Sequence, residues 1–290
     1  KIDQIQIWNR AEGFAGRLDK FTLSILDAKR QPVFISEKNP APEGSITFTP
    51  GKRDKPLLLT HDGKPGKAAS GGHSGPPRAH DPVEVPADYR DPSPFAFQNG
   101  DTVAMIGNGL AERMQYDGWM ETILQSKLVG KKLRFRDLGY PGDRTNSYPR
   151  NHGFTSVDDY LQHIKADVVF VFFGYNESFD NNPADYTNKL VELVTNIRAH
   201  QPNGKSFPRI VLFSPIPHEN LESKNLPDGV ANNKRLAAYT EATKAAAEKS
   251  GVTFVDLFHP GQELYAKTAA PLTINGIHLN TEGNRLMGEV

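Results

Sequence analysis

Two periodicities divide the chain. Over residues 1–50, apolar and polar positions alternate in Ile2–Trp8, Phe21–Leu26, Pro32–Ile35 and Ser45–Phe48, with Gly, Pro and Asn between the runs. That period of two predicts short antiparallel strands. From Phe95 the pattern changes to apolar runs separated by helical stripes. The runs Thr102–Gly107, Leu133–Leu138, Asp167–Gly174, Arg209–Pro215 and Val252–Leu257 predict five strands, and the third and fourth are continuously apolar, as parallel strands covered on both faces should be. Tyr186, Leu190, Leu193, Val194 and Ile197 form one stripe of a helix from about Pro183 to His200, with Pro183 suited to its first turn. A second helix, Asn232–Lys249, is rich in Ala, Glu and Lys and stops before Gly251. Strands interleaved with helices predict an α/β fold: a three-layer, flavodoxin-like sandwich around a central five-stranded parallel sheet, with sites at the C-terminal ends of the strands.

Between the two patterns, residues 51–94 are dominated by Pro, Gly, Lys and Asp, with too few apolar side chains for a core of their own. They read as a linker, partly draped over the domain that follows. The expected organisation is therefore a partial β-sandwich at 1–50, a linker at 51–94 and an α/β domain at 95–290. The first residues alternate like a strand, and Asn284–Val290 forms a helical pattern with no stop signal, so the sequence reads as a fragment of a longer protein with its last domain truncated.

Charge and composition mainly exclude. Lys+Arg and Asp+Glu both number 34, giving a net charge of zero and no electrostatic reason to expect nucleic acid or an anionic membrane as partner. No apolar run approaches the ~20 residues that cross a bilayer. With no cysteine, disulfides, thiolate catalysis and cysteine metal sites are excluded. His61, His73 and His80 are scattered through the linker without ligand spacing, so neither metal nor cofactor is expected. Gly107-x-Gly109 invites a dinucleotide reading, but Glu112 stands where the third glycine belongs.

Four segments carry candidate chemistry, each at the end of a predicted strand or in a loop: Gly107-Asn108-Gly109-Leu110, Gly139-Tyr140-Pro141-Gly142, Gly174-Tyr175-Asn176-Glu177 and Asn275-Gly276-Ile277-His278. In this order and at this spacing they resemble the four blocks of the SGNH (GDSL-type) hydrolases, over roughly residues 95–290. The resemblance implies an ester hydrolase in which a serine attacks an acyl carbonyl, a histidine takes its proton, and an aspartate three residues earlier orients the ring. Carried over, His278 is the base, and the oxyanion donors are the N–H groups of Gly109 and Gly142 and the side-chain amide of Asn176. The serine position, however, is Gly109, and Asn275 replaces the orienting aspartate. Asn108 replaces a further aspartate.

Glycine supplies the oxyanion N–H as well as serine does but cannot attack. An amide can hold the imidazole but cannot offset its positive charge, a change that costs about 10⁴ in rate in a serine protease. Classical acyl-enzyme catalysis is therefore expected to be absent or altered. Glu112, one turn into the helix after Gly109, is a candidate base for direct attack by water, with His278 assisting. The alternative is a pseudoenzyme: a non-catalytic glycan-binding or scaffolding module that kept the pocket and lost the chemistry.

Near the N-terminus, Ile7 to Phe21 resembles the second half of a fucolectin or discoidin-like jelly roll, with Arg10, Glu12 and Arg17 at the spacing of a sugar-hydroxyl clamp. This neighbour suggests a glycan or an acylated carbohydrate as ligand and an extracytoplasmic, envelope-associated place.

Overall fold

The computed structural model describes residues 2–9, 18–53, 55–68, 81–149 and 156–290. The chain forms two compact units, Lys1–Pro77 with Pro149–Ser156, and Arg78–Tyr148 with Val157–Val290.

In the first unit, β1 (Ile5–Trp8), β4 (Ser45–Phe48) and β5 (Leu57–Leu59) make an antiparallel sheet with β4 at its centre, while β2 (Phe21–Leu26) and β3 (Pro32–Asn39) pair as a hairpin. β4 is buried along its whole length, and Phe48 meets Phe21 edge to face at 6.1 Å, which brings the hairpin to the sheet. All four alternating runs contain strands: that of Ile2–Trp8 starts at Ile5, and that of Pro32–Ile35 extends to Asn39. β5 was not foreseen. Its three leucines lie in a Pro- and Gly-rich stretch and pair with Ser45–Thr47, and at Gly44 a β-carbon would stand 2.3 Å from the Thr60 backbone, so only glycine lets the two segments approach.

The second unit holds the predicted α/β sandwich. Its strands are β6 (Thr102–Gly107), β7 (Arg134–Asp137), β8 (Val168–Phe172), β9 (Arg209–Phe213) and β10 (Thr253–Val255), all parallel and ordered β7-β6-β8-β9-β10. The helices are α1 (Gly109–Asp117), α2 (Trp119–Lys127), α3 (Val157–Ile164), α4 (Pro183–Ala199), α5 (Val230–Ser250), α6 (Phe258–Lys267) and α7 (Thr281–Gly288). Alternate residues of β8 face opposite layers. Val169 and Val171 pack with Leu190, Val194 and Ile197 of α4, and Phe170 and Phe172 pack on the other side with Val211, Phe213 and Met287. Burial on both faces explains why β8 and β9 read as uninterrupted apolar runs. The direction of winding reverses between β6 and β8, which opens a crevice at their carboxyl ends. No helix among the described residues is long and apolar enough to cross a membrane.

Residues 81–94 belong to this unit and are tied to it. The Asp91 carboxylate accepts from Arg198 Nη2 and from the Ile210 N–H, both at 2.7 Å, and its own N–H donates to Gly251 O at 2.8 Å. Both side chains of this ion pair are at least 96% buried. Asp91→Ala strands a buried guanidinium and is expected to destabilise the domain by about 3–5 kcal/mol in chemical denaturation.

Candidate active site

The first corner of the site is the turn from β6 into α1. A β-carbon on Gly107 would sit 2.4 Å from the Phe172 carbonyl oxygen, so the close approach of β8 requires glycine there. Asn108 caps α1, its Oδ1 accepting from the Leu110 N–H at 3.4 Å, and its side-chain nitrogen is buried without a partner among the described residues. Gly109 thus opens a helix, where backbone N–H groups are unpaired within the helix and attract developing negative charge. A β-carbon placed on Gly109 would lie 3.6 Å from His278 Nε2, an ordinary contact, and would meet nothing closer.

Loops after the next two strands supply the second and third corners. At Gly139 a β-carbon would be 2.6 Å from the Glu112 backbone N, so glycine allows this loop to press on α1. Tyr140-Pro141-Gly142-Asp143 closes a turn through Asp143 N–H to Tyr140 O at 3.1 Å, with Gly142 at φ +89° after a proline, the signature of a type II turn. The Asn176 side chain donates to Asp143 O at 3.1 Å, binding the third corner to the second. Glu177 is buried beneath them, its two oxygens accepting from the N–H groups of Thr145 and Gly174, each at 2.9 Å. Burial pushes its carboxyl pKa up, against those two hydrogen bonds. Glu177 is a brace between loops.

His278 comes from the loop between α6 and α7. Asn275 Oδ1 accepts from the His278 backbone N–H at 3.1 Å and lies 3.1 Å from its Nδ1, an arrangement that keeps the proton on Nδ1 and leaves the Nε2 lone pair toward Gly109. Burial first, and then the positive charge of Arg113, hold the His278 pKa below its usual 6.5, partly offset by Glu112. The ring is therefore neutral and basic near pH 7.

Glu219, which sequence reasoning missed, fastens this loop. Its buried carboxylate accepts from the N–H groups of Leu272 and Thr273 and, at 2.6 Å, from the Thr273 hydroxyl, while its own N–H donates to Gly276 O at 2.8 Å. The signal available was a carboxylate in Pro215-Ile-Pro-His-Glu219, just past an apolar strand.

The structure brings Gly109, Gly142, Asn176 and His278 around one cavity of about 250 Å³, which Pro141, Tyr175 and Ile277 also line. Asn275 stands behind the histidine. Glu112 does not join them: its carboxylate turns along its own helix to accept from the Tyr116 hydroxyl at 2.8 Å and Gln115 Nε2 at 3.2 Å, and it does not line the cavity. Among the described residues, no group of three His, Asp or Glu side chains is arranged to hold a metal ion. Arg10, Glu12 and Arg17 lie outside the described residues.

The sequence profile of the GDSL-like lipase/acylhydrolase family matches residues 100–286. The chain belongs to this family. No curated protein sequence matches it. Among solved structures, the GDSL-like domain is similar to a variant of an acetyl-xylooligosaccharide esterase from Geobacillus stearothermophilus, with 17% identity over 67% of this chain and 93% of that one and a TM-score of 0.52. It is also similar to the native aryl esterase of M. smegmatis, with 18% identity over 66% and 95% of the two chains and a TM-score of 0.50. At such identities the likeness establishes a shared fold.

Proposed function

We propose that this GDSL-like domain hydrolyses carboxylic esters of carbohydrates by direct attack of water, with no acyl-enzyme. One observation carries the reading: His278 Nε2 faces the place where the β-carbon of a serine would be, at 3.6 Å, from a ring whose other nitrogen is held by Asn275. A water molecule seated over Gly109 gives its proton to Nε2 while its oxygen attacks the acyl carbon. The oxyanion takes hydrogen bonds from the N–H groups of Gly109 and Gly142 and from the Asn176 amide. The intermediate then collapses, His278 returns the proton to the departing alcohol oxygen, and acid and alcohol leave. Glu112 has no part in this scheme. The carbohydrate half of the reading rests on the lectin-like resemblance of residues 7–21 and on the acetyl-xylooligosaccharide esterase that shares the fold.

Gly109→Ala tests the reading directly. The added methyl meets His278 at ordinary contact distance, so the fold and the oxyanion N–H survive while the seat of the water is filled. Turnover of a small activated ester is expected to fall by roughly 10²-fold or more, the share usually carried by a positioned general base. A serine-directed phosphonate is expected to leave the parent chain unlabelled. Stoichiometric labelling, or full activity in Gly109→Ala, would refute direct attack.

A further inference from the structure

The cavity is small. At about 250 Å³ it lies below the ~300–1,000 Å³ of sites that enclose a whole drug-sized ligand, so it accommodates an acyl group and leaves the alcohol part of an ester outside, over the rim. On one side that rim is aromatic. Tyr175 lines the cavity and meets Phe179 edge to face, with centroids 5.7 Å apart at 72°. Phe179 projects from a single 3₁₀ turn, Glu177–Asp180, and is 56% exposed, although the domain's core is complete without it. The guanidinium of Arg235, from the first turns of α5, stacks 4.9 Å from the centre of the Phe179 ring. Arg235 also donates to Asn232 Oδ1, and its Nε is buried with no hydrogen-bond partner among the described residues, so the terminal N–H groups of the half-buried guanidinium are the ones a ligand can reach. Arg144 and Asp180 form an ion pair at the same turn.

We propose that Tyr175, Phe179 and Arg235 form a subsite for a pyranose ring, the alcohol part of the ester whose acyl group enters the cavity. The subsite rests on the preceding reading only for which part of the ligand lies where. A pyranose has an apolar face of C–H groups and an edge of hydroxyls. A ring face beside a planar fork of N–H donors meets both at once. A lipid chain would cover Phe179 but offer no acceptor to the terminal N–H groups of Arg235, which does not line the cavity that takes the acyl group. Arg235 restrains the Phe179 ring before any ligand arrives, which reduces the entropy lost on binding.

Calorimetric titration of the full chain with xylotetraose, cellotetraose and mannotetraose, none of them acylated, tests the subsite. At least one of these probes is expected to bind with a Kd in the millimolar range, and Phe179→Ala, an exposed change that leaves the fold intact, should weaken it at least ~10-fold. Arg235→Lys should weaken it as well, since the ammonium keeps the charge but loses the planar fork. His278→Ala should abolish ester turnover and leave oligosaccharide affinity unchanged. Absence of binding by all three probes, or equal affinity in the parent and Phe179→Ala, overturns the subsite. Phe179-dependent binding in a chain that turns over no ester supports the subsite and removes the hydrolase reading, so the two proposals fail separately.

Discussion

The double variant Gly109→Ser/Asn275→Asp is expected to exceed the parent by at least ~10³-fold in turnover of a small activated ester, and to become reactive toward serine-directed phosphonates. A serine at 109 places its hydroxyl one bond beyond a β-carbon that is 3.6 Å from His278 Nε2, within hydrogen-bonding reach of the base. An aspartate at 275 replaces a neutral acceptor with a carboxylate at the Nδ1 proton, which stabilises the imidazolium formed during attack. Nucleophile, base and orienting acid act as a unit, and a serine side chain also fills the seat of the water, so Gly109→Ser alone should not exceed the parent. The pH profile gives an independent check. In the parent, burial and Arg113 hold His278 below its usual value, so the rate should rise through a midpoint under 6.5 and then level off. The added carboxylate favours the protonated ring, so the midpoint in the double variant should move up. A folded double variant no faster than the parent would show that the oxyanion donors no longer converge on a carbonyl held at this site.

Glu219→Ala is expected to cost about 2–6 kcal/mol and to abolish turnover, although this side chain never touches a ligand. The substitution leaves the buried N–H groups of Leu272 and Thr273 without their acceptor, at about 1–3 kcal/mol each. It also frees the loop that aims His278. Glu219→Gln keeps one carbonyl oxygen and should fall between parent and alanine variant. Amide exchange over residues 271–279, compared with β8, separates the two effects. Faster exchange confined to the loop at a temperature where β8 remains protected would show that the loss of turnover comes from a misplaced histidine. Uniform protection of the loop in Glu219→Ala would contradict the role assigned to this carboxylate.

The parts of the fold legible in the sequence are those set by local pattern. β8 and β9 are buried on both faces and therefore apolar throughout; α4 carries one clear stripe and a proline at its start. The corners of the site were read from the resemblance of four short blocks to those of SGNH hydrolases, and the structure adds why two of their glycines stand where they do: the Phe172 carbonyl approaches Gly107 too closely for a side chain, and Gly142 has φ +89°. What escaped depends on distant partners. Asp91 reads as one more charge in a polar stretch, because its partners Arg198 and Ile210 are 107 and 119 residues away. Glu219 is hidden in the same way by the 53 residues that separate it from Leu272. Leu57–Leu59 shows no alternation, so a three-residue strand at the edge of its sheet could not be told from loop. Glu112 failed for a finer reason. It lies on α1 as expected, but its carboxylate accepts from Gln115 and Tyr116 along the helix, and helical position alone does not determine that.

The backbone at Gly109 has an unusual bearing on the history of the domain. Unlike Gly107, it has no neighbour that forbids a side chain, and its conformation is open to any amino acid. Glycine at this position is therefore not enforced by packing. Serine and glycine can be exchanged by a single nucleotide change, as can asparagine and aspartate. Two protein variants with the same architecture, one with a hydroxyl at this corner and one without, are thus neighbours in sequence space, and selection on chemistry alone can move a lineage between them in either direction.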